Sequence, residues 1–328
     1  MKGGIIGAGL MGKKRASAAK KNGVTIQYVT DIDTTAAQEL AAQYGARVVS
    51  WEECLNDPSI DVVFICTSHN MLAEIATVAI EKGKHVLIEK PAGRTVAEIE
   101  KIVNAHTNIL KKKFVCAKVG YNHRFHPMIA QLKKVCDEGI LGDLLFMTGE
   151  YGHGGREGMQ HEWRCDKKSA GGGELLDQGS HLIDLYQWMF DPVVKTQGMI
   201  PTYVWKSTNP TEDNGFILVQ NSTGNIGHFH VSWTLWKNSF QLKVVGKQGM
   251  AVVSGLGKSY GTERLTVYKR GTEGKVFREE TYTDDDHSFE DEVAYFVECI
   301  KNKKQPEGNI TDAVHTMKSI QDAYRGSR

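Results

Sequence analysis

No stretch of this chain approaches the ~20 consecutive apolar residues that a membrane-spanning helix needs. An excess of charge of either sign is also missing: 40 lysines and arginines face 39 aspartates and glutamates, a formal net charge of +1. That balance removes the electrostatic reason to expect nucleic acid or an anionic membrane as a partner. The short basic runs Lys111-Lys112-Lys113 and Lys301 to Lys304 read as solvated turns. The six cysteines (Cys54, Cys66, Cys116, Cys136, Cys165 and Cys299) contain no Cys-x-x-Cys pair and read as reduced thiols. Met1-Lys2 runs straight into Gly3-Gly4-Ile5-Ile6, which lacks the character of a signal peptide. The expectation is a cytoplasmic protein. Metal-ligand spacing is missing as well. His228 and His230 share a strand face, and His153, His161 and Glu162 lie loosely together, but neither group completes a recognisable ligand set. No metal is expected, and Cys165 has no evident activating base for thiol chemistry.

The apolar fraction of 41% and the charged fraction of 24% are those of an ordinary globular protein. At 328 residues the chain exceeds the roughly 250–300 residues at which a single core stops growing, so two domains are expected. The first third alternates strand and helix. Apolar runs at Gly3 to Gly7, Thr25 to Thr30, Asp61 to Cys66, His85 to Ile88 and Phe114 to Val119 are separated by helical stretches. One of these helices is capped by Asp33 and stopped by Gly45, and Ser50 to Glu53 has capping-box spacing. Such βα units, with nearly continuous apolar strands, mean a parallel sheet covered on both faces.

The pattern changes after Gly120. Alternating strands are expected at Gly215 to Gln220, Ile226 to Trp233, Phe240 to Gly246, Met250 to Ser254, Arg264 to Lys269 and Lys275 to Thr281. Helices are expected at Pro127 to Glu138, Glu174 to Phe190, Phe289 to Ile300 and Asp312 to Tyr324. The fold class is therefore α/β: a parallel-sheet domain over 1–120, then an α+β domain over 121–328 with a large, mainly antiparallel open sheet.

Three stretches carry chemistry. Gly7, Gly9 and Gly12 follow a strand and open a helix, the context in which such a triplet cradles a dinucleotide pyrophosphate. Asp31 ends the second strand, placed to accept hydrogen bonds from an adenosine ribose, and its charge disfavours a 2′-phosphate, so NAD is read in preference to NADP. Glu89-Lys90-Pro91 closes the apolar run His85 to Ile88, where ligands of parallel sheets bind. Taken alone it also reads as a surface ion pair. In Gly171 to His181, Asp177 and His181 stand four apart, so a helix would let the carboxylate orient the imidazole as a general acid/base unit. A structural histidine beside its salt-bridge partner is the other reading. Arg156, Trp163 and Arg164 precede that glycine run; arginines suit a phosphate or carboxylate and tryptophan a sugar face, or all three are exposed loop residues.

In this order and on two such domains, Glu89-Lys90-Pro91, the glycine triplet and Asp177-x-x-x-His181 resemble the Gfo/Idh/MocA family of oxidoreductases. Gly120-Tyr121-Asn122-His123-Arg124-Phe125 resembles the segment that opens that family's second domain. The resemblance covers essentially the whole chain. It implies an NAD-binding Rossmann domain over 1–120 and a substrate-binding, oligomerising domain over 121–328. It implies that Lys90 contacts substrate and nicotinamide, and that Asp177 and His181 form the catalytic pair with His181 as base. It also implies that Asn122 and Arg124 border cofactor and sugar, and that Leu10, Met11, Ile32, Thr67, Ser68 and Glu89 complete the cofactor contacts. There are two departures. Thr67-Ser68 stands where many members have Thr-Pro and then a histidine, and Lys13-Lys14-Arg15 replaces a histidine that often follows the glycine loop.

The resulting expectation is NAD-dependent hydride transfer at a secondary hydroxyl of a sugar, cyclitol or nucleotide sugar, in a homodimer or homotetramer. Two other classes stay open: an NAD-dependent glycosidase that borrows and returns hydride, and a non-catalytic NAD-binding regulator. Lys90 together with Asp177 and His181 argues against the regulator.

Overall fold

The computed structural model describes residues 1–271 and 276–327. They form two compact units, Met1–Tyr121 with Phe289–Val314, and Asn122–Ser288 with the chain from His315 onward. The first unit thus ends where the sequence pattern changes, and a segment near the C-terminus returns to it.

The first unit runs β1 (Lys2–Ile6), α1 (Leu10–Lys21), β2 (Thr25–Thr30), α2 (Thr34–Tyr44), β3 (Arg47–Val48), α3 (Trp51–Asn56), β4 (Val62–Ile65), α4 (His69–Glu81), β5 (His85–Ile88), α5 (Val96–Leu110) and β6 (Ala117–Val119). Its strands form a parallel sheet in the order β3-β2-β1-β4-β5-β6. That is the doubly wound order, with its reversal between β1 and β4. Burial on both faces explains the continuous apolar runs: all four residues of β4 are sealed from solvent. The helix caps sit as their residue types require. The Asp33 carboxylate accepts from the N–H groups of Thr35 and Ala36, Gly45 adopts φ 64°, and Ser50 accepts from the Glu53 N–H. The two-residue strand β3 was not anticipated, since both its residues are exposed and leave no apolar signal. Val293, Phe296 and Val297, from the returning segment, complete the core against β1, β4 and α1.

The second unit contains α6 (Pro127–Asp137), β7 (Leu144–Gly152), α7 (Lys167–Ala170), α8 (Glu174–Asp177), α9 (Gly179–Met189), β8 (Val193–Met199), β9 (Asn214–Asn221), β10 (Ile226–Ser232), β11 (Ser239–Gly246), β12 (Gly249–Ser254), β13 (Glu263–Arg270) and β14 (Val276–Thr283). Helices α10 (Ser288–Lys301) and α11 (Ile310–Gly326) close the chain. The strands form one sheet in the order β14-β13-β12-β11-β7-β10-β9-β8. It is antiparallel except between β7 and β10. Lys275, where the last strand was expected to start, lies outside the described residues.

Two expectations are corrected. Strands β7 and β8 were missed. β7 is interrupted by Gly149, whose missing side chain leaves room for Phe229, Leu242 and Leu182, and β8 is a largely exposed edge strand that has no need of an apolar pattern. On β10, Phe229 and Val231 point inward with the following Trp233, each at most 1% exposed, so the outer face carries Ile226, His228 and His230. The helix expected over Glu174 to Phe190 is two helices. At Gln178 the ladder tightens: the His181 N–H bonds the Gln178 carbonyl at 3.0 Å, and the Ser180 hydroxyl donates to the Asp177 carbonyl at 2.9 Å. Among the described residues no helix is long and apolar enough to cross a membrane.

Candidate functional site

In the first unit the glycine loop leaves β1 with Gly7 at φ +103°. A Cβ on Gly7 would stand 2.5 Å from the Cys66 carbonyl oxygen, and one on Gly12 would stand 1.8 Å from the Gly7 carbonyl oxygen. A Cβ on Gly9 would meet nothing within 4 Å. Gly7 and Gly12 are therefore demanded by packing, whereas Gly9 keeps one side of the loop open. Helix α1 starts beside it with no side-chain cap and no acidic residue in its first turn, which leaves its N-terminal dipole to an anion. Both features fit a dinucleotide pyrophosphate.

The Asp31 carboxylate is tied to this loop, accepting from the Ala8 N–H at 2.5 Å and the Asp33 N–H at 2.9 Å. Leu10 and Ile32 present exposed apolar side chains. Thr67 and Ser68 lead into α4, where the Ser68 hydroxyl donates to Asn70 Oδ1 at 2.7 Å.

Lys90, half-buried, follows β5 and Glu89 and is joined to Pro91 by a cis bond. Its neighbour Glu89 is buried and committed elsewhere. Arg15, with no exposed surface, places Nε 2.6 Å from Glu89 and Nη1 2.6 Å from Glu292, and Lys118 Nζ stands 3.3 Å from the other Glu292 oxygen. Two cations and two anions thus neutralise one another in the interior. Burial works against the Arg15 charge, but Glu89 and Glu292 outweigh it and hold its pKa above the ordinary value. Burial and Glu89 together push the Cys66 thiol far up. A Cβ on Gly120 would stand 2.6 Å from Arg15 Nη2, so the chain leaves β6 through a glycine.

In the second unit a 3₁₀ turn over Asn122–Phe125 is fixed from several sides. Asn122 donates to the Ser288 hydroxyl at 3.2 Å, and Arg124 grips Asp184 on α9 with two bonds of 2.8 and 2.6 Å. Arg124, expected beside substrate, is thus engaged with α9 and lies over Trp188. His126 Nδ1 stands 2.6 Å from Glu263. His181, on the same face of α9 as Asp184, stacks on His123 with centroids 3.6 Å apart and planes 20° apart. Both imidazoles are at most 5% exposed. Tyr151 packs against His123, with Phe240 and Tyr260 edge-on to Tyr151.

Asp177 lies 3.4 Å from Arg164, whose guanidinium covers the Trp163 ring. Arg156 makes a two-point pair with Glu162 at 2.7 and 2.6 Å at the exposed surface. The segment bearing Asp177 is anchored by Glu212, which accepts from the N–H groups of Gly173 and Leu175 and from the Tyr324 hydroxyl at 2.9, 3.1 and 2.6 Å. Burial raises the Glu212 pKa, with the Tyr324 bond opposing it. Burial pushes the Cys165 thiol up to about 11, as an unreactive cysteine requires.

Sequence reasoning missed Arg15, Glu212 and Glu292, charged residues that give no sign of burial in a linear pattern. His123, inside the segment that opens the second unit, carries no mark of its own in the sequence. Its position two residues past the end of the first unit was the available signal.

The family described as "Oxidoreductase family, NAD-binding Rossmann fold" matches residues 1–121, and "GFO/IDH/MocA C-terminal domain" matches residues 129–252. A levoglucosan dehydrogenase of Pseudarthrobacter phenanthrenivorans is 29% identical over 65% of this chain and 56% of its own. An inositol 2-dehydrogenase of Salmonella typhimurium is 28% identical over 60% of this chain and 56% of its own. The chain thus spans a little over half the length of these curated relatives. A solved levoglucosan dehydrogenase in complex with NADH superposes with a TM-score of 0.90 at 21% identity, covering 100% of this chain and 96% of that one, which shows the shared fold.

The buried charge cluster makes a testable demand. Arg15→Met removes the cation between two buried carboxylates and is expected to cost about 3–5 kcal/mol in urea denaturation at pH 7. Adding Glu89→Gln should restore part of the loss. A cost no larger than that of an exposed pair, about 1 kcal/mol, would refute the account.

Proposed function

The chain belongs to the Gfo/Idh/MocA family of oxidoreductases, and from that premise we propose that it is an NAD-dependent dehydrogenase acting on a secondary hydroxyl of a sugar, cyclitol or nucleotide sugar. The observation that carries this reading lies in the first unit. Lys90 leaves the carboxyl end of β5 in the same parallel sheet whose β1–β4 reversal holds the open glycine loop, and ligands of such sheets bind at those strand ends. The named activities of the relatives, on levoglucosan and inositol, support a polyol or sugar substrate.

Bound NAD supplies the carbon that accepts hydride. The protein's own residues handle the proton and the charge. An imidazole nitrogen of His181 takes the hydroxyl proton, in surroundings dry enough for a small driving force to count. Asp177, held against Arg164, steadies the imidazolium that results. The Lys90 ammonium stabilises the alkoxide charge that develops on the substrate oxygen. Arg124 contributes by locking α9 through Asp184, which fixes the helix that carries His181.

The second unit offers a surface for self-association. Phe146, Phe216, Leu218 and Ile226, each more than a third exposed, lie on the adjacent strands β7, β9 and β10. We read this face as the contact of a homodimer or homotetramer, and the six free thiols as those of a cytoplasmic protein.

Three measurements test these proposals. A panel of inositols, free and anhydro sugars and nucleotide sugars should produce NADH absorbance with at least one member. On that substrate His181→Ala should lower kcat by roughly 10²–10⁴, Lys90→Met should lower it strongly, and the pair should cost less than the sum. Release of sugar without net NADH would instead make the chain a glycosidase. For the cofactor, Asp31→Ser should raise the use of NADP relative to NAD, and equal use of both by the unmutated protein would sink the assignment. For assembly, light scattering at micromolar concentration should give a dimer or tetramer that Phe216→Glu with Leu218→Glu dissociates. A monomeric parent protein would rule the contact out.

A further inference from the structure

His123 and His181 meet in a face-to-face stack. Their centroids lie 3.6 Å apart and their planes 20° apart, so the rings touch face to face. Neither ring reached that place by accident. Two bonds from Arg124 to Asp184 clamp the turn carrying His123 to the helix carrying His181; Arg124 adjoins His123 and Asp184 stands three residues past His181. On its other sides His123 meets His126 edge-on at 5.3 Å and the tilted ring of Tyr151 at 5.3 Å. Its Nδ1 lies 3.3 Å from Asn122 Oδ1.

We propose that His123 is a positioning residue for His181, and that the two stacked imidazoles form one titrating unit that binds no more than one proton at neutral pH. The cause is elementary. Two imidazolium rings in face contact repel, so the second proton binds much less readily than the first, and the two uptake steps belong to the pair and not to either ring. A carboxylate that steadies the first proton does not remove the repulsion that the second one meets. Glu263 and Asp286 face His126, the ring next to His123. Asp184 is engaged by Arg124. Glu174 and Asp177 act on the Tyr151 and Tyr260 hydroxyls that close the other side, and Asp177 is engaged by Arg164.

The inference rests on the dehydrogenase reading only for its consequence. With the pair proton-free, His181 accepts the substrate proton as the unit's first. With His123 already protonated, it cannot do so without placing two positive rings in contact.

The test needs no substrate. The imidazole nitrogens of the 12 histidines are followed by ¹⁵N NMR across pH in the full chain, with His123→Phe and His181→Phe used to assign the pair. In the parent protein both rings should report the same two inflections, more than about one pH unit apart. In His123→Phe, which keeps a stacking face but carries no proton, His181 should titrate in one step and the lower inflection should vanish. His123→Gln serves as a second variant should phenylalanine disturb folding, judged by circular dichroism. Independent single inflections for the two rings, or an unchanged His181 curve in both variants, would overturn the proposal. The outcome is separable from the dehydrogenase reading. Coupled inflections without any NADH-forming substrate would leave the pair standing and remove that reading, and uncoupled rings in a protein that His181→Ala inactivates would do the reverse.

Discussion

An arginine with no exposed surface has to be neutralised where it stands, and much of the first unit follows from that requirement at Arg15. One carboxylate comes from the end of β5 and the other from α10, far away in sequence. Glu292 in turn answers Lys118 on β6, and the chain then passes Arg15 with a glycine at 120. Removing two charge pairs from water is expensive, and well-packed apolar residues can replace such pairs without loss of stability. What the cluster supplies is uniqueness. The returning helix brings Glu292 to Arg15 in one register, and Glu89 is held in one orientation beside the residue expected to do chemistry.

The second unit solves a similar problem with several smaller clamps. The segment from Gly171 to His181 contains four glycines, and glycine-rich backbone has more freedom to lose on ordering than any other. Glu212 removes that freedom by accepting from the N–H groups of Gly173 and Leu175 at the start of α8, with Tyr324 on α11 completing its shell. Glycine at 173 is compulsory there, because a Cβ would stand 1.9 Å from the Glu212 carbonyl oxygen. From that anchor the chain crosses the tightened turn at Gln178 and enters α9, which Arg124 grips through Asp184. Flexible residues and tight clamps therefore occur together for one reason. Only glycine permits the close approach, and only the clamp makes the resulting conformation unique.

What was legible in the sequence was whatever is decided locally. The caps at Asp33, Gly45 and Ser50 involve residues two to four apart, and the glycine loop takes its meaning from the strand before it and the helix after it. The parallel sheet was legible because both its faces are covered and its strands are apolar throughout. Features decided at a distance were not. Lys13-Lys14-Arg15 gives no sign that its third member is sealed inside while the first two are exposed; that depends on Glu292, 277 residues away. Strand β7 pairs in parallel with β10, about 80 positions on, and its glycine serves a phenylalanine of that partner. The spacing of Asp177 and His181 did not indicate two partners that lie beyond its reach, Arg164 for one and the His123 ring for the other.

Glu89-Lys90-Pro91 shows why neighbouring charged residues need not share a task. Successive side chains of an extended strand leave on opposite sides, and just past β5, where the chain enters a turn, one residue faces the interior and the next does not. Glu89 takes the inner position and is 7% exposed, whereas Lys90 is half-buried. The length of the inner residue matters. At 2.6 Å from Arg15 Nε, the carboxylate has no slack, and an aspartate, one methylene shorter, would leave both the arginine and itself under-coordinated in a dry interior. Neither position can exchange places with its neighbour: a lysine turned inward would meet Arg15, and a glutamate turned outward would leave that arginine with Glu292 alone. The order glutamate then lysine is thus set by the buried cluster, and the freedom to place an ammonium at the rim of the sheet follows from it.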